Sequence, residues 1–351
     1  RDGVSTVSFS GQTTRLNQVD AIYNALNSKA DDGSGAQKFY SEAEIDAMFA
    51  DGAGFMNAAL NGTGKKVRSK TSAGCAAGNS STQAQFDDQI SDFVVNVVPA
   101  WSADASAGVA GKLTDASRSI HVNKYGHEID QTFVKGLIGG MCLDQIVNNY
   151  LQPCQLDSGT RTDDNTNGIL SSGKNYTDME HKWDEAFGYL YGQEADYSRA
   201  DLGSAPTGNG TTLNKYFKKI NDSNMPGISQ TVYDAFKLGR AAIVAGNYEV
   251  RDAQANIIKI NLSKVIGFKS VDYLNGYMSK MAAGNTADAF HALSEGYGFI
   301  MSLQFTNDGN NNPHFTKAEV DAMLAKMSDF WTVKDSDLTS MVSQIKSKMN
   351  I

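Results

Sequence analysis

Apolar residues recur at intervals of three and four along most of the chain. Near the N terminus, Leu16, Val19 and Ile22 occupy such positions, and this spacing places their side chains on one face of a helix. Strict alternation of apolar and polar residues, the pattern of a half-buried strand, is nearly absent. Its best short example is STVSFSGQT at residues 5–13, which we predict to be a strand. The pattern as a whole predicts an all-α protein.

A second apolar stretch, residues 133–145, has helical spacing but contains Gly136, Gly139 and Gly140. Each glycine weakens an isolated helix by about 1 kcal/mol relative to alanine. We therefore expect these glycines to let another helix approach closely. Long polar segments separate the apolar stretches, and we predict them to be loops: residues 30–37, 62–80, 155–174, 203–212 and 306–313.

Two similar segments, FYSEAEIDAMFA and HFTKAEVDAMLA, mark helix starts. In the first, Ser41 precedes Glu44 by three positions, and in the second Thr316 precedes Glu319. This spacing forms a capping box, in which the hydroxyl and the carboxylate bind free N–H groups at the start of a helix. We interpret both segments as well-capped helices.

Two of the five histidines share an unusual local pattern. HKWDEAFGYLYG starts at His181 and HALSEGYGFIMS starts at His291, and in each a glutamate follows four positions later. Residues four apart lie on the same face of a helix, so His181 would project with Glu185, and His291 with Glu295. An imidazole nitrogen and a carboxylate oxygen together suit iron or zinc. If the two helices pack face to face, both pairs would converge on one transition-metal site.

Neighbouring residues extend this metal-site hypothesis. Glu180 and Asp184 flank the first pair and would serve as extra ligands or as hydrogen-bond partners of the ligands. Gly188 and Gly298, three residues after each glutamate, would leave room beside the site. The same spacing also fits a purely structural hydrogen-bonded His–Glu pair, and the sequence leaves both interpretations open.

Calcium is a separate candidate ligand. DDNTNG places Asp163, Asn165 and Asn167 at the spacing of a calcium-binding loop, although Lys174 stands where a closing glutamate is expected. A second segment, residues 308–319, has a proline in place of the turn glycine. In each case the alternative is a polar loop whose Asn and Asp side chains bind their own backbone.

Composition argues against some classes of protein. The formal net charge is −8, which argues against binding to the phosphate backbone of nucleic acids. No apolar run is long enough to cross a bilayer, and since the chain begins at Arg1 without a signal peptide, we expect a trimmed leader. Cys75 and Cys154 lie in loop-like sequence and could form a disulfide, whereas Cys142 lies in an apolar run and is expected to be a buried thiol.

EHKWDEAFGY, around His181, and the upstream GLIGGMCLDQIVNNYL resemble a branch of the imelysin-like proteins of the bacterial envelope. The resemblance covers nearly the whole chain, beginning at GVSTVSFSGQTTRL. It implies one unit over residues 1–351, built from two related helical bundles at approximately residues 10–200 and 201–351, with a site between them. It also implies a periplasmic protein or a lipid-anchored lipoprotein of the outer membrane. Further implications are a role in iron acquisition, an envelope transport partner, and an older assignment as a metallopeptidase.

The chain departs from the Gly-x-His-x-x-Glu signature of that family. At His181 the spacing gives Asp184, and a methionine replaces the glycine. YGHEID offers His127 and Asp130, again without the glycine. His181 is the better match, because its local pattern recurs at His291.

The residues and the resemblance together predict a binding protein for a metal ion or a metal-containing ligand. Haem is included, since a His or Tyr axial ligand is available. Catalysis is the less favoured alternative, because a helical zinc peptidase carries His-Glu-x-x-His, and after His127 and Glu128 the second His position is Gln131. A third alternative is a surface module that binds a polymer or a protein partner, with purely structural His–Glu pairs.

Overall fold

Helices dominate the structure, as the apolar spacing predicts. The computed structural model describes residues 1, 3–75, 80–198 and 207–351. Within these ranges the α-helices are α1 (Ser10–Ala25), α2 (Glu42–Asp46), α3 (Ser80–Asp92), α4 (Ile129–Leu137), α5 (Pro153–Leu156), α6 (Arg161–Thr166), α7 (Asp178–Tyr191), α8 (Leu213–Asn221), α9 (Ile228–Val244), α10 (Tyr248–Ala282), α11 (Thr286–Ser302), α12 (Lys317–Lys326) and α13 (Asp335–Met349).

Short elements complete the fold. Strands β1 (Gly111–Thr114) and β2 (Ser119–Val122) form an antiparallel hairpin, with Gly111 opposite Val122. Wider π-helical turns extend several helices, at Ala47–Asp51, Phe93–Val97, Ile138–Leu143 and Ile146–Tyr150. Tighter 3₁₀ turns lie at Ala58–Leu60, Arg68–Lys70, Val98–Ala100 and Leu303–Phe305.

The stretch from Ile129 to Tyr150, which starts with α4, lies at the centre of the molecule. Each of its residues is buried, and a helix that is buried all round has no solvent face. Helix α11 packs along α4, and α10 packs along α11. No helix in the described part of the chain, including the 35-residue α10, is long and apolar enough to cross a membrane.

Glycines at the crossing of α4 and α11 allow the predicted close approach. A Cβ atom added to Gly139 would lie 2.2 Å from the Cβ atom of Ser302. One added to Gly298 would lie 2.5 Å from the Cβ atom of Lys135. Because no real side chain fits at these distances, any larger residue would push the two helices apart. The role predicted for Gly139 is confirmed.

The predicted strand at residues 5–13 is wrong. Residues 5–9 have no regular secondary structure, and α1 begins at Ser10. The ring of Phe9 packs against Phe187, and the backbone N–H of Ser8 donates to the carboxylate of Asp184. The segment therefore binds α7 instead of a second strand. The actual strands β1 and β2 have four residues each, too few for a clear alternation.

The local predictions for helix starts and cysteines are confirmed. Both capping boxes form, at the N termini of α2 and α12. Cys75 and Cys154 form a disulfide that joins the segment before α3 to α5. Cys142 is a buried free thiol, and burial raises its pKa to about 12.

Candidate functional site

A polar cleft opens where α1, α4, α11 and the hairpin meet. Its volume is about 280 Å³. One wall carries the titratable side chains of Glu128, Asp130 and His291. Another wall carries Trp101 and His121, whose rings are stacked with their centroids 3.5 Å apart. The cleft therefore combines carboxylates, imidazole and aromatic surface in one solvent-connected space.

His291 has a carboxylate on each side of its ring. Its Nδ1 lies 2.6 Å from Oε2 of Glu128, and its Nε2 lies 3.6 Å from Oε2 of Glu295. When Nδ1–H donates to Glu128, the tautomer is fixed and the Nε2 lone pair is left available as a ligand. Glu128 is held in place because its backbone N–H donates to the hydroxyl of Ser294, on the same helix as His291.

Glu295 has polar partners beyond His291. Its Oε1 accepts a hydrogen bond from the hydroxyl of Tyr216 at 2.9 Å and lies 3.5 Å from Nζ of Lys135. Burial alone would raise the pKa of Glu295, but the charges of Lys135 and His291 and the hydrogen bonds from Tyr273 and Tyr216 together outweigh it, and the net effect is a lowered pKa. Glu295 is therefore an ionised carboxylate whose charge is compensated inside the protein.

Asp130 adds a second carboxylate to the cleft wall. Its Oδ2 accepts hydrogen bonds from Asn27 and from Gln131, both at 2.9 Å. Burial, together with the neighbouring charge of Glu128, raises the pKa of Asp130 to about 7. Asp130 would therefore exchange its proton near neutral pH, and a bound cation would favour its ionised form.

The first predicted pair lies on α7 in a different environment. Glu185 accepts hydrogen bonds from Gln12 at 3.0 Å and Tyr150 at 3.2 Å, and its Oε2 lies 2.8 Å from Nζ of Lys182. The ring of His181 stacks on Tyr176. Both oxygens of Glu185 are thus engaged by the protein.

The structure does not bring the two pairs together. Helix α7, with His181, packs against α1 and α9, whereas α11, with His291, packs against α4 and α10. Among the described residues, no hydrogen bond or ion pair joins one pair to the other. In the same part of the chain, no group of three or more His, Cys, Asp or Glu side chains is arranged to hold a metal ion. The four-residue site predicted from His181, Glu185, His291 and Glu295 is therefore not assembled.

The repeated His–Glu pattern has a common packing role. In each copy, the glutamate accepts a hydrogen bond from a tyrosine hydroxyl and lies near a lysine ammonium group. One turn later, the glycine contacts a crossing segment: a Cβ atom on Gly188 would lie 2.4 Å from that of Phe9, and Gly298 meets Lys135 in the same way. The expectation that these glycines leave room beside a metal site is wrong, because both positions are filled by the neighbouring segment.

Glu180 and Asp184 belong to an ion-pair network. Nη1 of Arg240 lies 2.8 Å from Glu180, and its Nε lies 2.9 Å from Asp184. Arg1 also pairs with Glu180 at 2.8 Å. Burial raises the pKa of Asp184 to about 7 although Arg240 opposes the rise. These carboxylates hold α9 and the N terminus against α7.

The candidate calcium segment is not an open loop. Asp163 and Asn165 lie on α6, within residues predicted to be a loop. The Oδ1 atom of Asn165 accepts from Thr177 while its amide donates to the carbonyl of Ile243. The amide of Asn167 donates to the backbone of Asp163. The helix points successive side chains in different directions, so the three predicted ligand oxygens do not share one centre.

Sequence reasoning missed Glu128 as a site residue and noted Asp130 only through the family signature. In the same segment, His127 turns away from the cleft, and its Nε2 lies 3.1 Å from the carbonyl oxygen of Met327. Burial lowers the pKa of His127 to about 4. The available signal was the pair Glu128 and Asp130, two carboxylates at the start of a helix that has no other acidic residue in its first turn.

The fold and the cleft define a mostly helical protein with a polar cleft lined by carboxylate, imidazole and basic side chains. The family model described as domain of unknown function DUF4856 matches residues 1–351, and the chain belongs to this family. No curated protein and no solved structure matches the chain significantly.

Proposed function

We propose that this protein binds a metal ion, or a small metal-containing ligand, in the cleft at His291. The observation that carries the proposal is the Glu128–His291 contact at 2.6 Å, with the opposite ring nitrogen facing Glu295. Carboxylate–histidine pairs of this kind orient metal-ligating imidazoles in proteins.

The spacing of His291 and Glu295 supports this proposal. Two ligand atoms about 2.0–2.2 Å from one tetrahedral ion lie about 3.3–3.6 Å apart. The Nε2 of His291 and Oε2 of Glu295 are separated by 3.6 Å. An ion between them would therefore require little movement of either side chain. Water from the cleft would complete the coordination, since among the described residues no third His, Cys, Asp or Glu side chain is arranged with these two.

Charges of both signs lie around the cleft. Glu128 and Asp130 contribute two carboxylates to the wall, and Lys29 and Arg118 also line it, Arg118 being paired with Asp288. Lys135 lies behind Glu295. The ammonium of Lys135 opposes a metal ion, but burial lowers the pKa of Lys135. Because an imidazole binds a metal ion only in its neutral form, metal affinity would rise with pH.

The two-bundle organisation is part of the same proposal. Glu128 and Asp130 belong to the first predicted bundle, and His291 and Glu295 to the second. A cleft that draws ligands from both would lie at the interface that the imelysin resemblance implies. On that resemblance we also propose a location in the cell envelope and a role in iron acquisition.

Metal retention tests the proposal directly. The purified protein is equilibrated with iron, zinc, copper or calcium, desalted, and analysed for bound metal by elemental mass spectrometry. We expect about one transition-metal ion per chain, lost in His291→Ala and retained in the matched variant His181→Ala. Thermal melts establish that both variants are folded. Absence of metal in the wild-type protein, or equal retention in the two variants, would rule the proposal out.

A further inference from the structure

A second and larger cavity lies on another part of the surface. It is bounded by residues 5–7, α7, α9 and residues 197–198, and its volume is about 620 Å³. Sites for small organic molecules commonly have volumes of 300–1,000 Å³. No residue that lines this cavity also lines the cleft at His291.

Aromatic side chains make up much of the cavity wall. Its lining residues include Trp183, Phe187, Tyr197, Tyr233 and Phe236. The rings of Phe187 and Phe236 meet edge to face, with their centroids 5.4 Å apart. Phe187 and Tyr197 are only partly buried by the protein itself. The wall therefore offers flat apolar surface to a ligand, and stacked aromatic rings are favourable contacts.

The rim carries exposed apolar surface and a cation. Val244, at the end of α9, has 63% of its surface exposed. Lys237 lies on the same helix and is exposed. Its ammonium group is 5.4 Å from the centroid of the Tyr233 ring. Among the described residues, Lys237 has no ion-pair partner, whereas Arg240 is already bound to Glu180 and Asp184. Asp184 also lines the cavity, but its carboxylate pairs with Arg240, so within the described ranges Lys237 is left to pair with a ligand.

We propose that this cavity binds a small amphipathic anion, a flat apolar or aromatic body with one carboxylate or sulfonate group. The body would lie against Phe187, Tyr197 and Tyr233, and the anionic group would pair with Lys237. This cavity shares no lining residue with the cleft at His291, so either proposal can be wrong without affecting the other.

A pair of fluorescent probes tests the proposal. Anilinonaphthalene sulfonate supplies the aromatic body and the anionic group, and N-phenylnaphthylamine has the same rings without the charge. We expect Lys237→Met to weaken binding of the sulfonate about tenfold, because a charge-assisted contact is lost, and to leave the uncharged probe unchanged. Equal effects on both probes would overturn the role of Lys237.

Two further variants test the location. Val244→Asp places a negative charge on the cavity rim, which would repel the sulfonate group and weaken binding of the sulfonate probe. Ala241→Phe fills the cavity and would weaken binding of both probes. The matched control is Leu238→Asp, since Leu238 is 51% exposed on the same helix but does not line the cavity. If Leu238→Asp weakens binding of the sulfonate probe as much as Val244→Asp does, the proposed site is wrong. It is also wrong if the wild-type protein binds neither probe. His291→Ala should change neither probe.

Discussion

The Nδ1 atom of His291 lies 2.6 Å from Oε2 of Glu128, although the two residues are 163 positions apart in the chain. The contact joins the start of α4 to the middle of α11 and sets which ring nitrogen faces the cleft. It also explains why the local His–Glu pattern is not sufficient to define the site: the orienting carboxylate comes from a distant segment.

Replacing Glu128 by Gln tests its role in orienting His291. We expect Glu128→Gln to weaken metal binding about 10–100-fold, the usual cost of losing a carboxylate that orients a metal-binding histidine. Titration calorimetry with zinc would measure the change. The matched control is Glu185→Gln at the other His–Glu pair, which should leave the zinc affinity unchanged. Similar losses in the two variants would show that the effect is not specific to the cleft.

The tight crossing of α4 and α11 predicts a large effect of one methyl group. A Cβ atom on Gly298 would lie 2.7 Å from the backbone nitrogen of Gly136 and 2.5 Å from the side chain of Lys135. Because backbone atoms cannot move aside easily, we expect Gly298→Ala to lower the free energy of unfolding by about 3 kcal/mol. Urea unfolding would measure the loss.

Gly276 on α10 provides the control for this substitution. The nearest atom to a Cβ atom added there is the Cβ of Ala292, at 4.0 Å. Gly276→Ala should therefore be neutral or stabilising by up to about 1 kcal/mol, since alanine is the better helix former. If both substitutions had the same effect, close packing would not explain the glycine at position 298.

The disulfide predicts a dependence of stability on redox conditions. Cys75 and Cys154 are separated by 79 positions, and closing a loop of this length restricts the unfolded chain. We expect the free energy of unfolding of the double variant Cys75→Ser, Cys154→Ser to be about 2–5 kcal/mol lower than that of the oxidised protein. A reductant should destabilise the wild-type protein and leave the double variant unaffected. An effect of reductant on the double variant would show that the sensitivity does not come from this disulfide.

Buried His127 predicts a loss of stability in acid. Burial lowers the pKa of His127 to about 4 in the folded protein, whereas an unfolded histidine has a pKa near 6.5. Between these values the unfolded chain binds more protons, so the stability contributed by neutral His127 is lost as pH falls from about 6.5 to about 4. The difference corresponds to about 3 kcal/mol at most.

The variant His127→Gln isolates this contribution. Glutamine cannot take up a proton in this range, and its amide can donate to the carbonyl of Met327 in place of the imidazole. We expect the stability of the variant, measured by urea unfolding, to fall less steeply than that of the wild-type protein over the same pH interval. Parallel curves would assign the acid sensitivity to other groups. Asp130 and Asp184, whose pKa values are raised to about 7, favour the folded state at low pH and therefore act in the opposite direction.

Features that depend on neighbours within about four residues could be predicted from the amino-acid sequence. The helical class follows from apolar spacing, and the capping boxes at Ser41 and Thr316 follow from contacts three residues apart. The need for a close helix crossing at Gly139 was also predictable, because a glycine in an apolar helix has few other uses. The strand predicted at residues 5–13 failed because its alternation was too short to outweigh the contacts that Phe9 and Ser8 make with α7.

Contacts between distant segments depend on how the helices pack in three dimensions. His291 acquires Glu128 because α4 and α11 pack along each other, and no local pattern encodes that pairing. His181 and Glu185 have the same spacing but face α1, so the identical local pattern serves a different contact. The physical reason is that periodicity fixes the face on which a side chain lies, whereas its partner depends on which helix covers that face.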